Sequence, residues 1–307
     1  MSVEIFGWFA LAAAICFFIG MLVFSKGEQL KNGVSQVFCV IALPVCLLAS
    51  RLVFALASAG YFFSTIAQPI KMLNFFDGGY SMTGVLLGLI ISTALTKKIT
   101  KAPFGKLMDA AAFAFILPLA LLRFAETYTT LGLGREVINL TLRGNAFFAF
   151  MDDMGTLRHA VFHYETAYAL LLFVVVLMIR KFNWRGGDKA LLLATLYGVA
   201  QIVFESMRDD FHMLWGFVRA QQVFAIFLPV AAIVIFSVRI ARKKGSCKPL
   251  ILYWVAAAAG IALGIIKEFD IDTSKNLFVD YGVMGLAVGI LAVIAIALLI
   301  KSNKESA

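Results

Sequence analysis

Nine mainly apolar stretches, each near 20 residues long, follow one another through this 307-residue chain. A helix of about 20 apolar residues is what crosses the hydrocarbon core of a bilayer. Because lipid offers no hydrogen bonds to the backbone, a helix is the expected form of each stretch. The stretches lie at about residues 5–24, 34–58, 79–96, 107–124, 160–179, 189–206, 217–238, 249–266 and 281–300.

The composition supports this interpretation, since 62% of the residues are apolar and only 15% are charged. A soluble domain has about a quarter of its residues charged. We therefore expect an all-α polytopic membrane protein. The first charge is Glu4 and no basic region precedes the first stretch. We accordingly expect the first helix to be retained rather than cleaved as a secretory signal.

The placement of the basic residues predicts the orientation of the helices. Lys and Arg accumulate on the cytoplasmic side of membrane proteins. Seventeen of them fall in one set of alternate loops and eight in the other set, which predicts an outer N-terminus and a cytoplasmic C-terminus. The net charge of +9 is thus explained by topology and by attraction to the anionic lipid of the bilayer. Nucleic acid is not an expected partner.

Charged side chains lie near the predicted outer ends of several spans, where His159 and Tyr164 lie too. Such groups cost about 2.5–3.5 kcal/mol each at the bilayer centre and normally face the protein interior. We expect nothing comparable at the ends on the other side. The charged residues at this level are Arg51, Arg123, Glu126, Glu165, Glu205 and Arg208.

One interpretation is that each of these groups extends to the membrane interface and pairs with a neighbour. We favour a polar cavity at the outer leaflet, because groups from several spans share one depth. The planar guanidinium group of arginine suits a phosphate, and carboxylates beside a histidine can transfer protons. The pattern predicts chemistry on a phospholipid head group, without naming the reaction.

Short segments at this level resemble, in order, the motifs of the prolipoprotein diacylglyceryl transferase family. Residues 50–52 are similar to the family's Ala-Arg-Leu. Residues 77–84, which contain Gly78, Gly79 and Thr83, are similar to its Gly-Gly-Met-Ser-Phe-His-Gly.

Three further segments extend the resemblance over about residues 5–240. Residues 122–126, with the later Gly-Arg at 134–135, resemble the signature Gly-Arg-Ile-Gly-Asn and its later Gly-Arg. Residues 159–165 agree with His-Pro-Ser-Gln-Leu-Tyr-Glu at the first, sixth and seventh positions. Residues 205–208 agree with Glu-Phe-Phe-Arg at the first and last positions.

The resemblance implies an enzyme that moves diacylglyceryl from phosphatidylglycerol to the lipobox cysteine in the signal peptide of a prolipoprotein. It implies multi-pass placement in the bacterial cytoplasmic membrane, with the reaction at the outer face. Residues 1–240 would form a seven-helix domain with an outer loop at 125–159, and residues 241–307 two additional helices. No metal or organic cofactor is implied, and the nucleophile is the substrate's cysteine.

The resemblance also implies roles for the residues of the cavity. Arg123 and Arg208 would hold the phosphate and favour departure of glycerol phosphate, because positive charge stabilises a leaving oxygen. The residues expected to be catalytic are Arg123, Glu126, His159, Glu165 and Arg208. Those expected to bind substrate are Arg51, Gly78, Gly79, Thr83, Arg135, Tyr164 and Glu205.

Besides Ala160, Val161 and Phe162, which replace the Pro, Ser and Gln of the His159 motif, three departures bear on the chemistry. Thr83 replaces the family's His, Glu126 its signature Asn, and Leu131 an acidic residue. Threonine cannot act as a base near neutral pH, which leaves Glu126, Glu165 and His159 as candidates. Two alternatives therefore remain open: an enzyme of the same fold with a changed lipid or acceptor, and a lipid-binding membrane protein without catalysis.

Overall fold

The computed structural model describes residues 2–63, 69–75, 78–129, 131–210, 213–215, 218–244, 250–271 and 276–304. Within these ranges nine helices are long and apolar enough to cross a membrane. They are α1 (Ser2–Gly27), α2 (Val34–Ala57), α3 (Met82–Thr100), α4 (Phe104–Ala125), α5 (Val161–Ile179), α6 (Asp188–Met207), α7 (Ala220–Lys244), α8 (Ile251–Ile271) and α9 (Leu277–Lys304).

Each predicted stretch coincides with one of these helices, and no helix end differs from its predicted position by more than six residues. The agreement follows from the length of the apolar runs, which the bilayer thickness fixes. Asp77, in the second motif, and Cys247 lie outside the described residues.

Helix α4 lies at the centre of the bundle and packs against α1, α5 and α6. Helices α2 and α3 form a second close pair. A Cβ on Gly84 would lie 2.4 Å from the carbonyl oxygen of Ala49, and one on Gly88 would lie 2.6 Å from the Cα of Cys46. These glycines of α3 therefore allow the backbone of α2 to approach, as small residues do between membrane helices.

Two small β-sheets stand at the end of the bundle where α4 and α6 finish and α5 begins. Strands β1 (Leu133–Glu136), β2 (Ala149–Met151) and β3 (Leu157–Ala160) form an antiparallel sheet in the order β1-β3-β2. Strands β4 (Leu214–Trp215) and β5 (Val218–Arg219) pair with each other. The all-α prediction omitted these strands, which are too short to show an alternating pattern.

The opposite end of the bundle contains a buried charged group of its own. Asp109 of α4 accepts hydrogen bonds of 2.8 Å from the backbone N–H groups of Gly187 and Ala190 at the start of α6. Lys189 Nζ lies 2.6 Å from Glu28 Oε1. The expectation that this end has nothing comparable was wrong, because Asp109, Glu28 and Lys189 find their partners across helix ends that are distant in the sequence.

Helices α8 and α9 pack onto the rest of the bundle through α9, which contacts α6 and α7. Polar contacts add to this packing at both ends. The hydrogen bonds run from Tyr281 Oη to the Ser206 carbonyl at 3.2 Å, from Gln222 Nε2 to Glu268 Oε2 at 2.8 Å and from Asn303 Nδ2 to Asp188 Oδ2 at 2.9 Å.

Candidate active site

The structure brings five of the predicted site residues together at one end of the bundle. Arg123 is in the last turn of α4, and Glu126 follows that helix directly. Glu165 is in the second turn of α5, Glu205 is in the last turn of α6, and Arg208 follows α6 directly. All except the partly exposed Glu126 are buried. Of the residues predicted to share one level, these five are therefore in contact with one another.

Two of the carboxylates each contact both arginines. Arg123 Nη1 donates to Glu126 Oε1 at 2.7 Å, and its Nε lies 3.2 Å from Glu165 Oε2. Arg208 Nη2 donates to Glu126 Oε2 at 3.3 Å, and its Nη1 lies 3.7 Å from both Glu165 Oε2 and Glu205 Oε1. The two guanidinium groups are thus held side by side by shared counter-ions.

Arg208 is positioned by the small sheet and by two residues that the sequence analysis did not select. A backbone bridge pairs it with Gly134 of β1. Asp210 accepts from Arg208 Nε at 3.1 Å and from Arg219 Nη1 at 2.8 Å. Arg219 Nη2 in turn donates to the Arg208 carbonyl at 2.9 Å. Burial alone would raise the pKa of Asp210, but the two guanidinium groups hold that pKa well below its usual range.

We call this set the arginine–carboxylate cluster; it contains Arg123, Glu126, Glu165, Glu205, Arg208, Asp210 and Arg219. It has three guanidinium groups and four carboxylates. Gln201, also absent from the prediction, donates from Nε2 to Glu165 Oε1 at 2.9 Å and to Glu205 Oε1 at 2.8 Å. These two carboxylates are therefore fixed by a neutral donor as well as by the arginines.

A small cavity adjoins the cluster between α4, α5 and α6. Its volume is about 10 Å³, which is room for about one water molecule. Arg123, Glu165, Tyr197 and Gln201 contribute to its lining. Among the described residues, the buried Nη2 of Arg123 has no hydrogen-bond acceptor of good geometry, and Tyr197 is close enough to Arg123 to interact with it.

His159 and Tyr164 form a separate pair beside the cluster, on β3 and at the start of α5. Tyr164 Oη donates to the Phe148 carbonyl at 3.1 Å, and His159 Nδ1 lies 3.0 Å from the same hydroxyl. The hydroxyl proton of Tyr164 is donated to the Phe148 carbonyl, so the hydroxyl oxygen acts as an acceptor toward His159. In this arrangement Nδ1 of His159 is the donor and Nε2 of His159 carries the lone pair. Burial lowers the pKa of His159 and favours this neutral form.

Arg51 belongs to a second group, on α2 and the segment that precedes α3. Its buried guanidinium donates to the backbone carbonyls of Lys71 at 2.7 Å, Met72 at 2.9 Å, Gly79 at 3.1 Å and also Gly78. Both glycines have φ of +71°, a conformation that favours glycine. Arg51 therefore shapes this segment, and Thr83 follows in the first turn of α3.

Arg135 is half-buried on β1, one residue beyond the bridge between Gly134 and Arg208. On the neighbouring strand β3, Arg158, which pairs with Glu136, contacts Asp209 at 2.7 Å. Arg135 therefore lies on the strand that positions Arg208, next to the residue that forms the bridge.

Comparison with known proteins agrees with the motifs. The family model for prolipoprotein diacylglyceryl transferase matches residues 1–238, which end inside α7. A phosphatidylglycerol–prolipoprotein diacylglyceryl transferase of Shouchella clausii is 28% identical over 76% of this chain and 85% of its own length. The enzyme of Halalkalibacterium halodurans is 25% identical over 78% of this chain and 83% of its own length. One from Bacillus cereus is 30% identical over 67% of this chain and 76% of its own length. The chain belongs to the prolipoprotein diacylglyceryl transferase family.

Proposed function

We propose that this chain transfers the diacylglyceryl group of phosphatidylglycerol to the lipobox cysteine thiol of a prolipoprotein. The observation that carries the proposal is the meeting of Arg123 and Arg208, from two different helices, around the same two carboxylates. Two adjacent guanidinium groups suit the oxygens of one phosphate. The names of the similar proteins supply the lipid and the acceptor.

In the proposed reaction the substrate sulfur attacks the glyceryl carbon that carries the phosphate ester. The S–C bond forms while the C–O bond breaks, and the electron pair leaves with the oxygen of glycerol phosphate. Arg123 and Arg208 stabilise the charge that develops on that phosphate, which is the electrostatic help a leaving oxygen needs. The thiol proton goes to a base of this chain, because the thiolate is the nucleophilic form.

Three groups are candidates for that base: Glu126, Glu165 and Nε2 of His159. Glu165 is fixed by Gln201 as well as by the arginines. Burial favours the neutral form of His159, in which Nε2 can act as an acceptor while Nδ1 contacts Tyr164. We propose that Glu165 and His159 also orient the acceptor, with Tyr164 holding the ring of His159.

The remaining predicted residues are proposed to bind the substrates. Arg51 would act through the segment it holds, with Gly78, Gly79 and Thr83 forming the wall that faces the lipid. Arg135 would contact the phosphate or the acceptor from β1. Glu205 would hold Arg208 in place.

We also propose the topology that the basic residues predict, with the N-terminus outside and the arginine–carboxylate cluster at the outer leaflet of the cytoplasmic membrane. Residues 1–240 would form the transferase domain, and residues 241–307 would add two helices to it. The topology can be tested with cysteine labelling at engineered loop positions.

The function is tested by depleting the transferase of a bacterial host, expressing this chain and measuring the mass of a reporter lipoprotein. A gain of one diacylglyceryl group is expected. Absence of that gain from a folded protein would refute the proposal. If the purified chain then retained phosphatidylglycerol without turnover, a lipid-binding role would replace it, whereas transfer from another lipid would indicate a changed substrate.

A further inference from the structure

The carboxylate of Glu126 lies where the phosphate of the substrate would have to bind. One of its oxygens accepts from Arg123 Nη1 at 2.7 Å, and the other accepts from Arg208 Nη2 at 3.3 Å. A phosphate diester has two non-bridging oxygens that would use the same two N–H groups. A phosphate that binds here would therefore have to compete with the Glu126 carboxylate for the two arginines.

Glu126 is also less firmly held than its neighbours. Its side chain is 14% exposed, against 2% for Glu165 and 1% for Glu205. Those two belong to helices α5 and α6, and each receives a hydrogen bond from Gln201. Glu126 instead begins a single 3₁₀ turn after α4, and the hydrogen bonds to its carboxylate among the described residues come from the two arginines.

The backbone beside Glu126 leaves room for its carboxylate. A Cβ on Gly132 would lie 2.5 Å from Glu126 Oε2, and Gly132 has φ of +75°. No other residue type would fit there without moving the carboxylate. Glycine at this position therefore accommodates Glu126 in its present place.

We propose that Glu126 is an exchangeable counter-ion, which the phosphate displaces from the arginines and which then accepts the proton of the acceptor thiol. The inference rests on the proposed function and adds a coupling to it. While the Glu126 carboxylate is bound to both guanidinium groups, its two oxygens are occupied by their N–H donors. They become available to a new proton donor when the phosphate takes their place. The base is thus released only when the lipid is bound.

The charges of the cluster favour an exchange over simple addition. Three guanidinium groups already face four carboxylates. A phosphate added to these would leave a further negative charge uncompensated in a buried place, which is costly. If Glu126 leaves as the phosphate enters, the balance between the arginines and their anions is unchanged.

The proton transfer balances with the transfer reaction. The S–H proton goes to the Glu126 carboxylate while the sulfur electron pair forms the S–C bond. The C–O electron pair leaves with glycerol phosphate. After the product leaves, Glu126 loses its proton to water and returns to the arginines.

The test is Glu126→Gln, with kinetics measured against phosphatidylglycerol concentration in mixed micelles. The amide is neutral and competes poorly for the guanidinium groups, so KM for phosphatidylglycerol is expected to fall severalfold. The amide cannot accept the thiol proton, so kcat is expected to fall about 100-fold or more. Glu136→Gln, which removes the same charge from an exposed carboxylate on β1, should change neither value.

An unchanged or higher KM in Glu126→Gln would overturn the exchange, and an unchanged kcat would overturn the role as proton acceptor. Glu126→Asp provides a second test, because its shorter carboxylate cannot span both arginines but can still accept a proton. It should combine a lower KM with a kcat above that of Glu126→Gln. If the wild-type chain does not transfer, the proposed function fails, and retention of phosphatidylglycerol by wild type and Glu126→Gln still tests the exchange.

Discussion

Replacing Arg208 by glutamine should cost this protein both stability and transfer. The guanidinium of Arg208 is 2% exposed and lies within 3.7 Å of four carboxylates. These are Glu126, Glu165, Glu205 and Asp210. Without Arg208 only two guanidinium groups of the cluster remain to balance them.

The magnitude follows from the burial of these groups. At an effective dielectric constant of 20, two unit charges 4 Å apart interact by about 4 kcal/mol. Breaking a buried ion pair by removing one partner costs about 3–5 kcal/mol, because an uncompensated charge stays behind. Loss of a group that stabilises developing negative charge lowers kcat by about 100- to 1,000-fold. We expect Arg208→Gln to show effects of this size.

The matched control is Arg158→Gln, which removes the same charge from a neighbouring but more exposed arginine. The side chain of Arg158 is 29% exposed and pairs with Asp152 and Asp209. Such pairs are worth about 0.2–1 kcal/mol. Thermal unfolding in detergent and mass spectrometry of a reporter lipoprotein measure the two effects for both variants.

Addition of Glu205→Gln to Arg208→Gln separates charge balance from phosphate binding. The double variant should regain part of the stability, because one buried negative charge is removed, but it should not regain transfer. Equal melting temperature and equal transfer in Arg208→Gln and Arg158→Gln would refute the roles given to Arg208.

Other predictions concern packing, pH and the last two helices. Gly84→Ala should lower the free energy of unfolding by about 1–3 kcal/mol, because the new Cβ would meet the backbone of α2 at 2.4 Å, whereas Gly282→Ala, with open space around it, should not. Asp210→Asn should be less stable than wild type by a constant amount from pH 7 to about 4. That difference should shrink only at lower pH, because the folded-state pKa of Asp210 is below the unfolded value of about 3.9. Tyr281→Phe should lower the free energy of unfolding by about 0.5–1.5 kcal/mol, because it removes the hydrogen bond to the Ser206 carbonyl of α6. An unchanged melting temperature would contradict the docking of α9 described above.

The sequence predicts the helices and the level of the charged residues because both follow from the bilayer. Apolar length marks each helix, and a charge such as Arg123 or Glu205 near the end of an apolar run marks its depth. The order of the motifs then predicts that the same residues form the family's site. The helices, the depth of the charged residues and the motifs can each be recognised within one continuous segment of the chain.

The partners of these residues could not be predicted in the same way. Gln201 lies one turn before Glu205, so its i, i+4 spacing was an available signal, but an amide in an apolar span is weaker than a charge. Asp210 and Arg219 belong to the segment that follows α6, where the backbone path decides which side chains meet. The carbonyls that hold Arg51 likewise depend on the positive φ of Gly78 and its neighbour.

The central claim is that two arginines brought together by the fold serve diacylglyceryl transfer. It is tested most directly with purified protein in vesicles that contain phosphatidylglycerol, together with a lipobox-containing prolipoprotein. We predict a mass gain of one diacylglyceryl group on the acceptor cysteine with wild type and Arg158→Gln, and its loss in folded Arg123→Gln and Arg208→Gln. Full transfer by either of the last two variants, or none by folded wild type, would contradict the account.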